Sequence, residues 1–191
     1  MSPQTIFQIG VYHAKDDVTD LVNNCDVGLL VLVEPLGHLC NKKILECYKD
    51  ISNKHIYNYA ISPDEGGGRK LPFYVHPDGP GVASLNKHHV EKHFEGSSEK
   101  IIEGEVSCIT MHELFDKFLV TEIDALCIDA EGFDAEIIMS IDLTKYNIKR
   151  IIFEYIHIKD ENEVMRLRSF LVNHGYKITP LTEYNMEAVK I

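Results

Sequence analysis

The segment IDALCIDAEGFD, residues 123–134, joins a short apolar run to an acidic turn. The run at residues 125–128 is typical of a buried strand in a parallel sheet, because both faces of such a strand are covered. Asp129, Glu131 and Gly132 follow at once, and apolar residues then recur at helical spacing. Two carboxylates here could simply favour the start of the helix through its dipole. In an open α/β sheet they also lie where ligands bind, outside the carboxyl end of the strand.

Apolar runs and amphipathic segments alternate along the rest of the chain, and this alternation predicts a three-layer α/β fold. Residues 62–110 form its irregular part, with three consecutive glycines, an edge strand at 71–76 that contains Pro72, and a strand at 105–109. This part is long enough to act as a lid. The other predicted strands are residues 5–9, 28–33, 56–61, 125–128, 149–154, 176–179 and 188–191. The predicted helices are residues 16–24, 37–49, 85–94, 111–119 and 161–174, and one that follows Gly132.

The composition places the chain among folded, acidic proteins of one domain. Its 191 residues, 45% of them hydrophobic, are enough to bury a sizeable core. The formal net charge of −11 makes nucleic acid an unfavourable partner. The five cysteines form no CxxC pair, which favours a reducing compartment. With neither a signal peptide nor a run of about 20 apolar residues, we expect a cytoplasmic protein without a membrane span.

The longer segment IDALCIDAEGFDAEII, residues 123–138, resembles the signature of the FkbM family of S-adenosylmethionine-dependent methyltransferases. The motifs FQIG, LVLVEP, YAIS, ASL and IIFEY resemble other parts of that family and occur in its order. The resemblance implies a Rossmann-like class I methyltransferase fold that spans residues 1–191 as one domain. Its sheet would have seven mostly parallel strands with an antiparallel last strand. The implied reaction is O-methylation of a hydroxyl on a sugar, a glycan or a related small molecule.

The predicted cofactor is S-adenosylmethionine. Glu34 ends the second predicted strand, where a carboxylate can accept hydrogen bonds from both ribose hydroxyls of an adenosine. A dinucleotide would need a glycine-rich turn for its phosphates, and the sequence has no G-x-G-x-x-G. Gln8 occupies a position that is usually acidic in such methyltransferases, and its carbonyl can accept one hydrogen bond from the ammonium group of the cofactor. The predicted cofactor-binding residues are Gln8, Gly10, His13, Glu34, Pro35, Leu36, Ala60, Ile61, Ser62 and Asp129.

The predicted catalytic residues follow strands. Methyl transfer to oxygen needs an aligned donor and acceptor and a group that assists loss of the hydroxyl proton. Asp129 is the first candidate for the base or for a group that orients the acceptor, and Glu131 and His157 are the next. Glu131 could instead serve only the start of the helix, and His157 could be an ordinary loop residue.

Three histidines on one predicted helix, His88, His89 and His93, raise the question of a metal site. A metal needs further ligands, and the spacing in the sequence fixes none. We therefore expect these histidines to form a solvated polar face and predict no metal site.

Two other functions stay open. The absence of an acid at Gln8 and of a later glycine in the loop after Gly10 would suit a binding module that keeps the fold without turnover. A nucleotide-sugar or dinucleotide enzyme is disfavoured by the missing glycine-rich turn. Because the first predicted strand begins at residue 5 and the last ends at residue 191, we also expect one domain of a larger glycan-building polypeptide or a minimal stand-alone form.

Overall fold

The computed structural model describes residues 2–12, 17–64, 68–158 and 161–191. Within these residues the helices are α1 (Asp17–Asn23), α2 (Gly37–Cys47), α3 (Lys87–His93), α4 (Met111–Phe118), α5 (Asp134–Ser140) and α6 (Glu161–Asn173). The strands are β1 (Gln4–Ile9), β2 (Val27–Val33), β3 (Lys54–Tyr57), β4 (Ala60–Ile61), β5 (Lys70–Val75), β6 (Ile102–Ile109), β7 (Glu122–Ile123), β8 (Ala125–Ile128), β9 (Asn147–Ile148), β10 (Arg150–Glu154), β11 (Tyr176–Pro180) and β12 (Asn185–Lys190). Short 3-10 turns cover Pro80–Val82 and Ser98–Lys100.

The main sheet has seven strands in the order β11-β12-β10-β8-β1-β2-β3. The five strands from β10 to β3 are parallel to one another, and β12 pairs antiparallel with both β10 and β11. The predicted seven-stranded, mostly parallel sheet is therefore confirmed. From β1 the chain proceeds outward through β2 and β3 and returns through β8 on the other side of β1. The carboxyl ends of β1 and β8 thus form the topological switch point at which such sheets bind ligands.

Helices cover both faces of the main sheet, which confirms the three layers. Side chains of β1 alternate between the two faces, as in any strand. Phe7 and Ile9 belong to the core that contains residues of α4, α5 and α6. Ile6 belongs to the core on the opposite face, together with residues of α1 and α2. Within the described residues, none of the helices has both the length and the apolar character to cross a membrane.

The prediction of one strand at residues 56–61 is wrong. β3 ends at Tyr57, and β4 belongs to a second sheet in the order β4-β6-β5. β4 pairs parallel with β6 through Ala60 opposite Cys108. The segment IYNYAI is interrupted only by Asn58, and a single polar residue does not show in the sequence pattern that the chain changes sheets.

Residues 62–110 contain more regular structure than the sequence predicts. β5 and β6 pair antiparallel over six residue pairs, and α3 lies between them in the sequence. β5 lies at the edge of its sheet, as predicted, and Pro72 is opposite Glu105. An edge position suits proline because it has no backbone N–H to donate to a neighbouring strand.

Candidate active site

An open cleft lies at the carboxyl ends of β1, β2 and β8, at the switch point of the main sheet. It encloses about 620 Å³ of empty space, including the part that is open to solvent. Residues from the segment 73–85 form one wall. Seven of the predicted cofactor-binding residues line the cleft: Gly10, Glu34, Pro35, Leu36, Ala60, Ile61 and Asp129.

Gln8 does not line the cleft, contrary to the prediction that it faces the cofactor. It is only 2% exposed and lies on the same side of β1 as Ile6, toward α2. Its side-chain carbonyl accepts a hydrogen bond of 3.0 Å from the hydroxyl of Tyr48. That oxygen can accept a second hydrogen bond, but it lies buried on the α2 side of the sheet and not in the cleft where the ammonium of the cofactor was predicted.

Two other predicted cofactor-binding residues remain. Ser62 is buried and is not among the residues that line the cleft. Its backbone N–H donates to the carbonyl of Ile109, which ties the end of β4 to β6. His13 lies outside the described residues, so its role stays a prediction.

Glu34 is a buried carboxylate that holds the loop after β1. Its Oε2 accepts hydrogen bonds from the backbone N–H groups of Val11 at 3.1 Å and Tyr12 at 2.7 Å. Its Oε1 accepts from the backbone N–H of Leu36 at 2.7 Å. Burial raises the pKa of Glu34, and the three N–H donors oppose that rise. A carboxylate has about four acceptor positions, so roughly one remains for a ligand hydroxyl.

We expect Glu34→Ala to weaken both the fold and cofactor binding. The substitution leaves three backbone N–H groups without their acceptor, and a hydrogen bond to a charged group is worth about 1.5–3 kcal/mol. The free energy of unfolding, measured in urea, should therefore fall by at least this amount. Calorimetry should show weaker binding of S-adenosylmethionine. Glu34→Gln, which keeps one carbonyl oxygen, should lose less. Unchanged stability in Glu34→Ala would show that these hydrogen bonds do not hold the loop.

The end of β1 approaches the end of β8 so closely that only glycine fits at position 10. Gly10 has a φ of 73°, in the left-handed region. A Cβ atom added there would lie 1.7 Å from the backbone oxygen of Asp129. The backbone N–H of Asp129 donates to the carbonyl of Ile9 at 3.0 Å and fixes the start of the acidic turn beside β1. The side chain of Asp129 is exposed and lines the cleft.

The acidic turn after β8 has an unusual backbone. Glu131 has a φ of 49° and Gly132 a φ of 91°. Left-handed conformation is rare for a residue with a side chain and persists only where the surroundings hold it in place. Here the hydroxyl of Ser84 donates to the carbonyl of Glu131 at 2.9 Å, and the carboxylate of Asp134 accepts from the backbone N–H of Ala130 at 3.2 Å. One contact from a distant segment and one from within the turn and its helix thus hold the backbone around Glu131.

A cluster of two glutamates and three histidines lies beside the turn. Nε2 of His89 is 2.8 Å from Oε2 of Glu131. Nε2 of His157 is 3.9 Å from the same oxygen and 3.5 Å from Oε2 of Glu154. The ring of His93 lies 4.5 Å from that of His89 and 4.8 Å from that of His157, measured between ring centroids. Of the predicted catalytic residues, Asp129 and Glu131 therefore line the cleft, and His157 lies behind Glu131.

The prediction of a solvated face for the α3 histidines is wrong for His89. His88 is exposed, with 86% of its side chain accessible, whereas His89 is only 8% exposed. His89 is buried by a tertiary contact, because the face of α3 that carries it packs against the turn of Glu131 and Gly132. A Cβ added to Gly132 would lie 3.1 Å from Nδ1 of His89, so glycine also provides the space for this contact.

Burial is the largest cause of the pKa shifts in the cluster. It raises the pKa of Glu131 to about 7, opposed by a neighbouring histidine. It raises the pKa of Glu154 to about 8, helped by the charges of Asp129 and Glu131. Burial and then the neighbouring histidines lower the pKa of His157 to about 4. Burial, followed by the charges of Asp129 and Glu154, raises the pKa of Asp134 well above its usual value.

Three residues of the site were missed by the sequence analysis. Ser84 lies in the ASL motif, which we noted only as a resemblance. Glu154 ends β10 and could have been found by the same strand-end argument that selected Asp129 and Glu34. The burial of His89 had no signal in the sequence, because its partner Glu131 is 42 residues away.

Comparisons with known proteins agree with this architecture. The sequence model described as "Methyltransferase FkbM domain" matches residues 8–178. No curated protein sequence matches the chain. Among solved structures, precorrin-6y C5,15-methyltransferase from Geobacter metallireducens GS-15 is similar in fold, with a TM-score of 0.51 and 14% identity over 100% of this chain and 82% of that one. Ribosomal protein L11 methylase from Lactobacillus delbrueckii subsp. bulgaricus has a TM-score of 0.45 and 9% identity, over 100% of this chain and 72% of that one.

Proposed function

Because the chain belongs to the FkbM methyltransferase domain family, we propose that it transfers a methyl group from S-adenosylmethionine to a hydroxyl oxygen. The proposed acceptor is a sugar, a glycan or a related small molecule. The observation that carries this proposal is the cleft at the switch point, where Glu34, Asp129 and Glu131 come together from the ends of two strands. When bound, S-adenosylmethionine supplies an activated methyl group: the acceptor oxygen forms the new carbon–oxygen bond, the carbon–sulfur bond breaks, and its electron pair stays on sulfur.

The chemistry of the cleft fits this cofactor. S-adenosylmethionine carries cationic sulfonium and ammonium groups and no phosphate. Among the described residues, the cleft is lined by carboxylates and contains neither lysine nor arginine, which suits a cation and not a pyrophosphate. We assign Glu34 to the ribose, because about one acceptor position is left beside its three backbone donors. Binding of both ribose hydroxyls would require one of those N–H groups to be released from Glu34.

Asp129 is the residue that we assign to the hydroxyl proton. It is exposed in the cleft, and its backbone is fixed to β1. A positioned carboxylate within hydrogen-bonding distance of the acceptor can take up its proton as the new bond forms. Glu131, whose direction is fixed by its left-handed backbone and by His89, is the residue that orients the acceptor.

A carbohydrate acceptor is supported by the walls of the cleft. Carboxylates accept hydrogen bonds from the vicinal hydroxyls of a sugar. Tyr59, Phe73 and Phe133 provide apolar surface beside them. This combination of a few polar groups with aromatic walls is typical of sites that bind small molecules.

An acceptor screen tests the proposal. The full chain would be incubated with S-adenosylmethionine and with free sugars, glycosides or natural-product alcohols, and release of S-adenosylhomocysteine would be measured. We expect turnover with at least one carbohydrate. Turnover only with non-carbohydrate alcohols would overturn the sugar assignment, and turnover only with protein or nucleic acid would overturn hydroxyl transfer to a small molecule. Calorimetry with S-adenosylmethionine, S-adenosylhomocysteine and NAD separates an S-adenosylmethionine-binding protein from a dinucleotide protein, and turnover in the screen separates an enzyme from a binding module.

A further inference from the structure

We propose that Glu131, Glu154 and His157 bind a divalent first-row transition-metal cation beside the cleft. The role of the metal rests on the proposed methyl transfer. Its position rests only on the geometry of these three residues. Glu131 comes from the turn after β8, whereas Glu154 and His157 come from the end of β10 and the loop that follows it. β8 and β10 are adjacent and parallel, so their carboxyl ends bring the three side chains together.

The distances between the donor atoms suit one ion. Nε2 of His157 is 3.5 Å from Oε2 of Glu154 and 3.9 Å from Oε2 of Glu131, and the three ligand atoms all lie within 4.8 Å of one another. A point equidistant from three such atoms lies roughly 2–2.5 Å from each. Bonds from zinc to histidine nitrogen or carboxylate oxygen are about 2.0–2.2 Å, so a small movement of the side chains completes the geometry.

Glu154 has an atom that needs a partner. Its Oε2 is buried and has no hydrogen-bond partner among the described residues, although Nε2 of His157 lies 3.5 Å away. A carboxyl oxygen that is buried away from water without a hydrogen bond or a cation is costly. The ion pairs of Glu131 and Glu154 within the described residues involve histidines only. A bound divalent cation would supply the missing partner.

A supporting contact already orients one ligand. Nε2 of His89 is 2.8 Å from Oε2 of Glu131, and the hydroxyl of Ser84 holds the backbone of Glu131. Metal-binding carboxylates are themselves usually hydrogen-bonded, because these contacts fix the direction of the ligand. His89 is thus a positioning residue, and its burial follows from this role.

The donor set selects the class of metal. One imidazole nitrogen with two carboxylates suits Zn²⁺, Mn²⁺, Fe²⁺ or Co²⁺, whereas Mg²⁺ prefers oxygen ligands alone. Three protein ligands leave coordination positions open, as in catalytic metal sites. An acceptor hydroxyl that reached an open position would become more acidic, its proton would pass to Asp129, and the oxygen would keep the electron pair that forms the new carbon–oxygen bond.

Calorimetric titration of the full chain with Zn²⁺ alone, without cofactor or acceptor, tests the site. We expect one ion per chain. Loss of a residue that only supports a metal ligand typically lowers metal affinity about 10–100-fold. Glu154→Gln and His157→Gln each remove a ligand, so each should lower Zn²⁺ affinity by at least that factor. Mg²⁺ should bind more weakly than Zn²⁺. His88→Gln is the matched control, because His88 is on the same helix as His89 and is exposed, and it should leave affinity unchanged.

Two variants and one spectrum decide the ligand set. His89, His93 and His157 form a second group within ligand distance of one another. If His93→Gln weakens binding and Glu154→Gln does not, the ion binds to the histidines and the proposed ligands are wrong. Co²⁺ absorption should show bound cobalt in the wild type and lose it in Glu154→Gln, with unchanged circular dichroism as the check on folding. Absence of one-to-one binding would overturn the proposal and leave the methyltransferase assignment intact. Binding at these ligands without methyl transfer to any acceptor would support the metal site and contradict the proposed function.

Discussion

Asp129→Asn is expected to lower methyl-transfer turnover by about 10²–10⁴-fold while S-adenosylmethionine still binds. Asparagine keeps the size of the side chain and one carbonyl acceptor, but it cannot take up the hydroxyl proton. Assistance from a positioned general base is typically worth this factor. The backbone contacts of residue 129, from its N–H to Ile9 and from its oxygen toward Gly10, do not involve the side chain that is changed. Single-turnover kinetics and calorimetry on the same sample measure the two effects separately.

The matched control is Asp124→Asn. Asp124 is an acid at the opposite, amino end of the same strand, where it binds Lys149 and the backbone of Thr5. That change should leave turnover at the level of the wild type once the folded fraction is taken into account. Wild-type turnover in Asp129→Asn would show that Asp129 is not the base. Glu131 or His157 would then be the candidate for that role.

Gly10→Ala is expected to cost about 2–5 kcal/mol of unfolding free energy. A left-handed φ for a residue with a Cβ costs roughly 1–2 kcal/mol. The added carbon would also lie 1.7 Å from the backbone oxygen of Asp129, so the ends of β1 and β8 must separate. Overpacking of this kind typically costs about 1–3 kcal/mol. Because those strand ends form the floor of the cleft, we also expect S-adenosylmethionine to bind more weakly.

Gly175→Ala separates the two causes. Gly175 has a φ of 84°, and an added Cβ would meet nothing within 4 Å. This variant carries the backbone strain without the clash, so its loss in urea unfolding should be only about 1–2 kcal/mol. Equal losses in the two variants would contradict the close approach of β1 and β8.

The layers and the sheet were predictable because the pattern of apolar runs reports which faces of an element are covered. The run before Asp129 predicted β8 at its observed bounds. The same pattern failed at residues 56–61, because Asn58 is the only polar residue in the segment where the chain passes from one sheet to the other. Gln8 shows a related limit. The sequence shows that Gln8 points to the face opposite Phe7 and Ile9. It does not show that α2 covers that face.

The position of the cleft was predictable, whereas the contacts around the acidic turn were not. The strand-end argument selected Glu34, Asp129 and Glu131, and all three line the cleft. The burial of His89 depends on contacts between segments far apart in the sequence. For the same reason, the sequence predicted a solvated face where the structure places a buried histidine against Glu131.

Transfer of a ¹³C-labelled methyl group from S-adenosylmethionine, followed by NMR with the acceptor that gives turnover, tests the central claim most directly. The chemical shift of the labelled carbon identifies the atom to which it is bound. We predict a signal typical of a methyl group on oxygen, and its loss in Asp129→Asn. A label that appears only on nitrogen or carbon, or that never leaves the cofactor with any hydroxyl acceptor, would contradict the assignment of this protein as an O-methyltransferase.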